Sequence, residues 1–377
     1  MLWNWQLSDW SQFAFDAARL RDAEAQFLKG AGVVIGSMHH LDGNARQGLV
    51  IELISQEMVE SSAIEGEILD RFSVQSSIAR QLGFAADKRR SNPAEAGAAE
   101  LMADLYRRYA EPLTDQLLFD WHKMLMNGRR DLVDIGAYRT HADPMQIVSG
   151  ALHAPRVHFE APPSDRVPEE MARFIAWFND SGPKGGAPMP AIMRAAIAHS
   201  WFETIHPFED GNGRLGRAIA EKALAQSLEA PTLTALAAAI NRHKKTYYAQ
   251  LHAASQTNQI DAWMGWFAQI VLEAQGRTIE SIRFLIEKTR LLDRLRSRIN
   301  ARQEKALIRM MAEGPDGFAG GLSAHNYRTI TDAASATATR DLAELVELGA
   351  LERVGERRYA RYHLTIASRE GGDGAGD

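Results

Sequence analysis

The glycines of residues 211–216, GNGRLG, lie between two segments with helical periodicity, and this placement limits the folds the chain can adopt. A G-x-G-x-x-G turn that binds a dinucleotide follows a hydrophobic strand and opens a helix within a βαβ unit. Here the preceding segment, AIMRAAIAHSWFETI, indicates a helix that begins near Pro190 and is ended by Pro207, because proline removes a donor and clashes with the preceding turn. The sequence therefore disfavours NAD or FAD binding here and predicts a helix–loop–helix.

Helical periodicity dominates most of the remaining chain and predicts a mainly α fold. A helix is predicted from Gln47 to about Glu60, with Gly66 as its stop. The exception is a pair of short β-prone runs, Gln146–Val148 and Arg156–Phe159, whose Ser-Gly-rich connection predicts a β-hairpin.

The texture changes from about Ala301. Three short helical patterns precede LERVGERRYARYHL, an alternating segment with a tight glycine turn. Three helices followed by such a hairpin predict a winged helix-turn-helix. The wing is locally basic, but residues 301–365 contain nine Lys or Arg and nine Asp or Glu. Both DNA binding and a protein contact therefore remain open for this domain.

Composition removes several classes of function. The chain has no cysteine, which excludes disulfides, thiolate zinc sites and a cysteine nucleophile. Its net charge of −5 gives no overall attraction to nucleic acid or anionic membrane. The first residues, MLWNWQLSDW, do not resemble a signal peptide, and no apolar run approaches the roughly 18 residues of a membrane span. We therefore expect a cytoplasmic protein without membrane contact. The three tryptophans of MLWNWQLSDW are expected to be packing anchors.

The glycine loop has the features of an anion site. Gly211, Asn212 and Gly213 can adopt the positive φ values of a tight loop. The helix that follows exposes free N–H groups at its N-terminus, where its dipole favours an anion. Arg214 and Arg217 lie on one face there, although positive charge is unfavourable at that end unless an anion is bound.

Two further side chains flank this loop. Asp210 is a hard oxygen ligand suited to Mg²⁺ held by one carboxylate and phosphates. His206 ends the preceding helix and faces the same loop, where it can act as a base. An ordinary helical turn with a solvated aspartate and surface arginines is the alternative, and the combination of all these residues argues against it. The set suits attack on a phosphate ester.

The segment HPFEDGNGRLGR, His206 to Arg217, matches in full the Fic family signature H-P-F-x-[DE]-G-N-G-R-x-x-R. The flanking segments AAIAHSWFETIHPF, GAYR, YYAQL and AWMGWF also resemble Fic domains. The resemblance implies a Fic-type helical core with a β-hairpin flap, followed by a winged helix. It divides the chain into an N-terminal helical region (1–90), a Fic catalytic domain (91–295), a winged-helix domain (296–366) and a disordered tail (367–377).

This resemblance implies adenylylation, the transfer of AMP from ATP to a Ser, Thr or Tyr hydroxyl of a target protein with release of pyrophosphate. His206 would deprotonate the hydroxyl and Asp210 would hold Mg²⁺. The backbone from Gly211 to Arg214, with Asn212 and Gly213, would cradle the phosphates, and Arg214 and Arg217 would hold the β and γ groups.

The resemblance also assigns the surroundings of this site. The hairpin residues Ile147, Val148, Ser149 and Gly150 resemble the flap that aligns a target segment by strand addition. Tyr247 and Tyr248 fall where the family lines its nucleoside pocket, with core packing as the alternative. Ser255 stands where some relatives have asparagine, so the contacts that select the base are open.

A second motif, SSAIEG, lies about 150 residues upstream and matches the family's inhibitory pattern [ST]-x-x-x-E-[GN] through Ser61, Glu65 and Gly66. Alone, such a segment is usually a plain helix end. Beside a full Fic motif it implies that Glu65 pairs with Arg217 and misorients the phosphates. Some relatives with this glutamate also remove AMP.

Several alternatives remain open at this stage. The chain could be a DNA-binding regulator with a vestigial Fic domain, but none of the motif residues has been lost. It could also act mainly in AMP removal or use another nucleotide donor. Self-modification and a homodimer are possible, since Fic proteins often pair.

Overall fold

The computed structural model describes residues 2–87, 89–149, 156–231, 234–314, 318 and 320–366. The chain divides into two compact units. The first contains residues 1–36 and 46–278, and the second contains residues 37–45 together with the described residues from Ile279 onward. The division falls inside a long helix. The domain boundaries expected from the sequence stay a prediction.

The described residues of the first unit are mainly helical, which confirms the expected mainly α fold. The helices up to the division are α1 Arg21–His39, α2 Gly43–Ile64, α3 Arg71–Gln81, α4 Pro93–Arg108, α5 Asp115–Leu125, α6 Val167–Asp180, α7 Ala191–Ile205, α8 Asn212–Leu228, α9 Leu236–Arg242, α10 Lys244–Ala254 and α11 Asp261–Leu295. In the part of the chain that the structure describes, no helix is long and apolar enough to cross a membrane.

Helices α7 and α8 form the centre of this unit. Helix α7 is buried along nearly its whole length, because it is apolar on every side rather than along one stripe. It ends at Ile205 as the sequence predicts, with Pro207 two residues further on. Helix α8 begins at Asn212, and Gly211 precedes it with φ at 83°. The glycine loop thus joins two buried helices that pack against each other.

The predicted hairpin is present as β1 Gln146–Ser149 and β2 Arg156–Glu160. The strands are antiparallel, Gln146 pairs with Glu160, and the register shifts after Ile147. The connecting residues 150–155, which include the expected flap residue Gly150, lie outside the described residues.

Helix α2 is longer than the predicted Gln47–Glu60. It begins at Gly43 because the Asp42 carboxylate accepts a hydrogen bond from the Ala45 N–H (2.9 Å), and it continues to Ile64. Gly66 then adopts φ 85°. The N–H of Gly66 bonds Ala63 O and the N–H of Glu67 bonds Ser62 O, so the helix ends in a Schellman motif.

The second unit contains the elements predicted near its end. They are α12 Ala301–Met311, α13 Ala324–Thr331, α14 Ser335–Glu347 and the antiparallel strands β3 Leu351–Val354 and β4 Arg361–Leu364. Leu307, Tyr327, Leu342 and Tyr362 are among the buried side chains of its core. This order of elements is the one expected for a winged helix, and the assignment of this unit to that class of domain remains a prediction. The predicted disordered tail lies outside the described residues.

Candidate active site

The backbone at the end of α7 fixes His206. Its N–H bonds Phe202 O (2.9 Å), and the residue takes the left-handed conformation, with φ 49° and ψ 60°. The buried Arg139 holds this turn, since its Nε donates to His206 O (2.8 Å) and its N–H to Pro207 O (2.9 Å). Strained backbone of this kind costs about 1–3 kcal/mol and persists only where the surroundings enforce it. Arg139 provides that enforcement.

The same environment sets the charge of the imidazole. Loss of hydration, followed by the charge of Arg139, lowers the pKa of His206 to about 4. The ring is therefore neutral at pH 7, as a proton acceptor must be.

The loop after His206 is held by its own side chains. The Asn212 amide accepts from the Phe208 N–H (2.9 Å) and donates to Phe208 O (2.8 Å). His122 stacks on the Phe208 ring at 4.2 Å. Its Nδ1 accepts from the Gly136 N–H (2.9 Å), so Nε2 carries the proton and donates to Asp210 O (3.2 Å). Asn212 thus shapes the loop through both polar atoms of its side-chain amide, and its expected contact with a phosphate stays a prediction.

Asp210 lies beside the N-terminus of α8 among positive groups. Its carboxylate accepts from the Gly211 N–H (2.5 Å) and from Arg129 (2.5 Å), and lies 3.4 Å from Arg214. Burial alone would raise the pKa of Asp210, but Arg129 and Arg214 lower it overall. The carboxylate is therefore ionised at pH 7, and Arg129 is in turn held by Asp131.

Both arginines of the loop are paired with carboxylates from the end of α2. Arg217 is buried, and its Nη2 lies 2.8 Å from Glu65 Oε1 and donates to Ser61 O (2.8 Å), while its Nε donates to Ser61 Oγ (2.8 Å). Arg214 pairs with Glu67. Burial alone would lower the pKa of Arg217, but Glu65 and other nearby groups raise it overall. Each cation that could hold a phosphate thus already has an anion.

Gly213 makes the first of these pairs possible. A β-carbon at this position would lie only 2.2 Å from Glu65 Oε1 and 3.2 Å from Arg217 Nη1. The carboxylate therefore reaches Arg217 across a space that only glycine leaves open.

A cavity of about 540 Å³ adjoins His206, Glu65 and Gly213. Its lining comprises Glu65, Ile147, His158, Phe159, Ser200, Glu203, Thr204, His206, Gly213, Tyr247, Tyr248, Leu251, His252 and Ser255. One end carries the carboxylate of Glu65 and the start of α8, and much of the remaining wall is aromatic or aliphatic. A cavity of this size accepts a small molecule such as a nucleotide.

The floor of the cavity contains a group of buried polar side chains. The Tyr247 hydroxyl bonds His199 Nε2 (2.9 Å). Burial, followed by the charge of Glu65, raises the pKa of Glu203 to about 8. Burial, followed by the charge of Arg217, lowers the pKa of His199 to about 3. Glu203 is therefore mainly protonated and His199 neutral at pH 7.

The structure brings most of the residues singled out in the sequence to one place. His206, Gly213, Glu65, Ile147, Tyr247 and Tyr248 line the cavity. Outside this lining, next to Gly213 and Glu65 in the loop, on α8 or at the end of α2, lie Asp210, Gly211, Asn212, Arg214, Arg217 and Ser61. Gly66 shapes the helix end that carries Glu65. Val148 is exposed on the hairpin, whereas the side chain of Ser149 and the whole of Gly150 lie outside the described part of the structure. Of the two tyrosines, Tyr247 is buried against His199, whereas Tyr248 is 42% exposed and donates to Ile64 O (3.1 Å).

Sequence reasoning did not find Glu67, Glu203, Arg129, Arg139 or His122. Arg139 is the arginine of the GAYR segment, but its bond to His206 spans 67 positions. Glu203 was accessible to pattern reasoning, since it lies four residues after His199 and is the only acidic residue of α7. For Glu67 the sequence carries no signal beyond its place two residues after Glu65.

Comparison with known proteins agrees with this geometry. Residues 112–224 match the family model described as Fic/DOC family, and residues 3–84 match a domain of unknown function, DUF4172. The chain thus contains a Fic/DOC family domain, whose matched segment includes His206, the glycine loop and α5.

Two curated relatives are similar over the same region. They are the proteins named protein adenylyltransferase fic-1 of Caenorhabditis briggsae and Caenorhabditis elegans, 31% and 30% identical over 151 residues. Each match covers 40% of this chain and 26% of the relative, so it spans about a quarter of those proteins.

One solved structure resembles the fold over nearly the whole chain. It is a Fic family protein from Desulfovibrio desulfuricans G20, with a TM-score of 0.51 and 21% identity, covering 93% of this chain and 97% of that one. At this identity the likeness shows the fold alone, which is that of the Fic helical proteins.

Proposed function

We propose that this chain transfers AMP from ATP to a hydroxyl side chain of a protein, and that Glu65 restrains the reaction. One observation carries the proposal. A neutral histidine lines a nucleotide-sized cavity together with Gly213, and an ionised aspartate and two arginines flank that glycine where α8 begins. A triphosphate fits the charge of this end, and a nucleoside fits the largely apolar walls beyond it.

The reaction then follows from the positions of these groups. The hydroxyl oxygen of the target bonds the α-phosphorus of ATP, while its proton passes to the neutral imidazole of His206. The bond from the α-phosphorus to the bridging oxygen breaks, and pyrophosphate leaves with the electron pair. His206 contributes about 10²–10⁴-fold in rate as such a base. The α8 N-terminus and the arginines stabilise the charge on the phosphates.

Mg²⁺ is the expected cofactor, and Asp210 is the residue that fits it. Its carboxylate is ionised and adjoins the α8 N-terminus, and Mg²⁺ in proteins is held by one or two carboxylates with substrate phosphates. When bound, the ion would neutralise phosphate charge. Arg129 now contacts the same carboxylate, so it must share or yield this contact.

Restraint by Glu65 follows from its contact with Arg217. A guanidinium held by a carboxylate cannot fully hold a γ-phosphate, and the carboxylate repels that phosphate. ATP bound against this repulsion would present its α-phosphorus in the wrong direction, and orientation errors of this kind cost about 10²-fold. Replacing Glu65 by glycine should therefore raise the transfer rate by about 10²-fold.

The test uses ATP labelled at the α-phosphate, Mg²⁺ and the purified full-length chain with a cell lysate as a source of targets. Glu65→Gly should label itself or lysate proteins strongly, the wild type weakly, and Glu65→Gly with His206→Ala at background. With label at the γ-phosphate, Glu65→Gly should add no incorporation beyond that seen with the wild type. Equal, low incorporation by wild type and Glu65→Gly, with intact ATP binding, would contradict restraint by Glu65. Incorporation that survives His206→Ala would contradict the proposed base.

The position of Glu65 also supports AMP removal as a second candidate activity. Its carboxylate lines the cavity together with His206, where it could orient a water molecule toward an AMP–protein bond. The substrate for this test is Glu65→Gly protein that has labelled itself. Release of labelled AMP on adding wild-type protein, and not on adding His206→Ala, supports it.

A further inference from the structure

We infer that residues Trp3–Trp5 set the shape of the nucleoside end of the cavity, and that Asn4 and Trp5 are positioning residues for the bound nucleotide. This inference rests on the proposed function. It assigns a role to the first part of the segment that matches a domain of unknown function.

Trp3 and Asn4 contact four residues that line the cavity. The Asn4 N–H donates to Ser255 O (2.7 Å), and its amide donates to Thr204 Oγ1 (3.3 Å). The Trp3 ring meets those of Phe159 and His252 edge-on, at 5.3 and 6.4 Å. These contacts reach α7, α10 and β2, so one short segment connects three elements that lie far apart in the sequence.

Asn4 is fully buried and uses all of its polar groups. Besides the bonds to Ser255 and Thr204, its amide donates to Ala254 O (3.2 Å), and its side-chain oxygen accepts from the Trp5 N–H (2.8 Å). A buried amide that is satisfied on every side fixes its neighbours in one arrangement. Asn4 therefore determines how the end of α10 lies against α7.

Trp5 connects the same segment to the hairpin. Its indole Nε1 donates to Glu160 O (2.7 Å) at the end of β2, and the two tryptophans share a small core with Phe159 and Ala161. A two-stranded hairpin is marginally stable alone. The bond from Trp5 therefore supports the strand whose residues His158 and Phe159 line the cavity.

The location of these contacts predicts which part of a nucleotide depends on them. The arginines and the start of α8 lie at the Glu65 end, where the phosphates belong. Thr204, His252 and Ser255 belong to the wall that Asn4 and Trp3 support. Disturbing Trp3–Trp5 should weaken binding of the nucleoside and leave binding of the phosphates unchanged.

The chain offers a matched pair of variants. Trp5→Phe removes the indole donor to Glu160 O on the hairpin. Trp10→Phe removes an equivalent donor from the same part of the chain, but its partner is Glu170 Oε2 (2.9 Å) on α6, outside the cavity lining. Asn4→Asp is nearly isosteric and removes the donors to Thr204 and Ala254.

The experiment measures binding of AMP, ATP and inorganic tripolyphosphate by calorimetry to the full chain carrying Glu65→Gly. Trp5→Phe and Asn4→Asp should each lower the affinity for AMP and for ATP by about tenfold, since one lost buried hydrogen bond is worth about 1–1.5 kcal/mol. Tripolyphosphate affinity should not change, and Trp10→Phe should resemble its parent. Unchanged AMP affinity in Trp5→Phe, or an equal loss of tripolyphosphate affinity, would overturn the inference.

Amide hydrogen exchange in β2 separates this inference from the proposed function. If the parent protein binds neither AMP nor ATP, the proposed function fails, and the exchange rates alone judge the support of the hairpin. Exchange over Val157–Glu160 should be faster in Trp5→Phe than in Trp10→Phe. Equal rates in the two variants would sink the support that Trp5 gives to β2.

Discussion

At the scale of single residues, burial moves the pKa of His206 down and the pKa of Glu203 up. Both lie on or next to the last turn of α7, both line the cavity, and both have pKa values moved toward the neutral form. The two groups lead to different predictions, because one binds a proton more weakly and the other more strongly than in water.

We predict that His206 titrates near pH 4 in the free protein rather than near its usual value of about 6.5. Removing Glu65 should lower this pKa further, because the Glu65 carboxylate favours the charged imidazole. NMR titration of the His206 ring in wild type and Glu65→Gly measures both values. A midpoint near 6.5 would contradict the buried environment beside Arg139 described above.

Glu203 predicts a dependence of stability on pH. Its folded pKa of about 8 lies above that of the unfolded chain, so the folded state holds the extra proton between about pH 4.5 and 8. The stability of the wild type should therefore fall as pH rises through this window. Glu203→Gln removes this contribution, and its loss of stability from pH 5 to 8 should be smaller. Urea unfolding at several pH values tests this, and parallel curves would refute it.

At the scale of elements, the end of α2 determines the state of both arginines. Gly66 places Glu65 and Glu67 one residue to either side, and each carboxylate takes one arginine of α8. Helix α10 holds this end in place, because Tyr248 and Lys244 donate to the last carbonyls of α2.

We predict that Glu65→Gly frees only one of the two arginines. Adding Glu67→Gln should strengthen tripolyphosphate binding further, by about three- to fivefold for a partly exposed pair worth up to about 1 kcal/mol. Glu60→Gln is the matched control, since Glu60 lies on the same helix and bonds Asn241 (2.7 Å) instead of an arginine. Calorimetry measures the affinities. An equal gain from Glu60→Gln would show that the effect is one of general charge.

Gly66 gives a second prediction for this element. A β-carbon there meets no atom within 4 Å, so a substitution acts only through its φ of 85°. Gly66→Ala should strain the turn by about 1–2 kcal/mol, loosen both carboxylates and raise the transfer rate. Gly66→Asn, which tolerates this conformation, should stay close to the wild type. The transfer rate from labelled ATP compares the wild type with both variants. Identical rates in all three proteins would show that the conformation of this turn does not affect the proposed restraint.

The site was predictable from sequence where its signals are local. Pro207 and the glycines place His206 at a helix end and Asp210 in a loop, and Gly66 marks the end of α2. Arg139, Glu203 and His122 were not predictable as parts of the site, because their roles depend on long-range contacts such as Arg139 to His206. The start of α2 was missed because its cap, Asp42, lies outside the apolar pattern, whereas its end at the Gly66 turn was predicted.

At the scale of the whole molecule, the two compact units have separate cores. In the second unit, Asp341 is buried and joins three elements, since it accepts from Arg302 (3.0 Å) and Tyr327 (3.0 Å) and lies 3.3 Å from the Asn300 amide. Burial alone would raise the pKa of Asp341, but the bonds from Arg302 and Tyr327 lower it overall.

These separate cores predict two unfolding transitions. Asp341→Ala should lower only the Tm of the second unit, because it leaves the buried Tyr327 hydroxyl without its acceptor. In the Glu65→Gly chain, ATP with Mg²⁺ should stabilise only the first unit, by about 2.7 kcal/mol at a concentration 100 times the Kd. Differential scanning calorimetry measures both shifts. A single transition that responds to both changes would contradict independent units.

The Schellman turn at Gly66 has one more consequence. Because Glu65 and Glu67 share a single turn of backbone, opening that turn releases two cations in one event. The proposed restraint would therefore be lifted in a single step rather than one arginine at a time. Activation would show a threshold, and its rate would be set by how often the last turn of α2 unfolds.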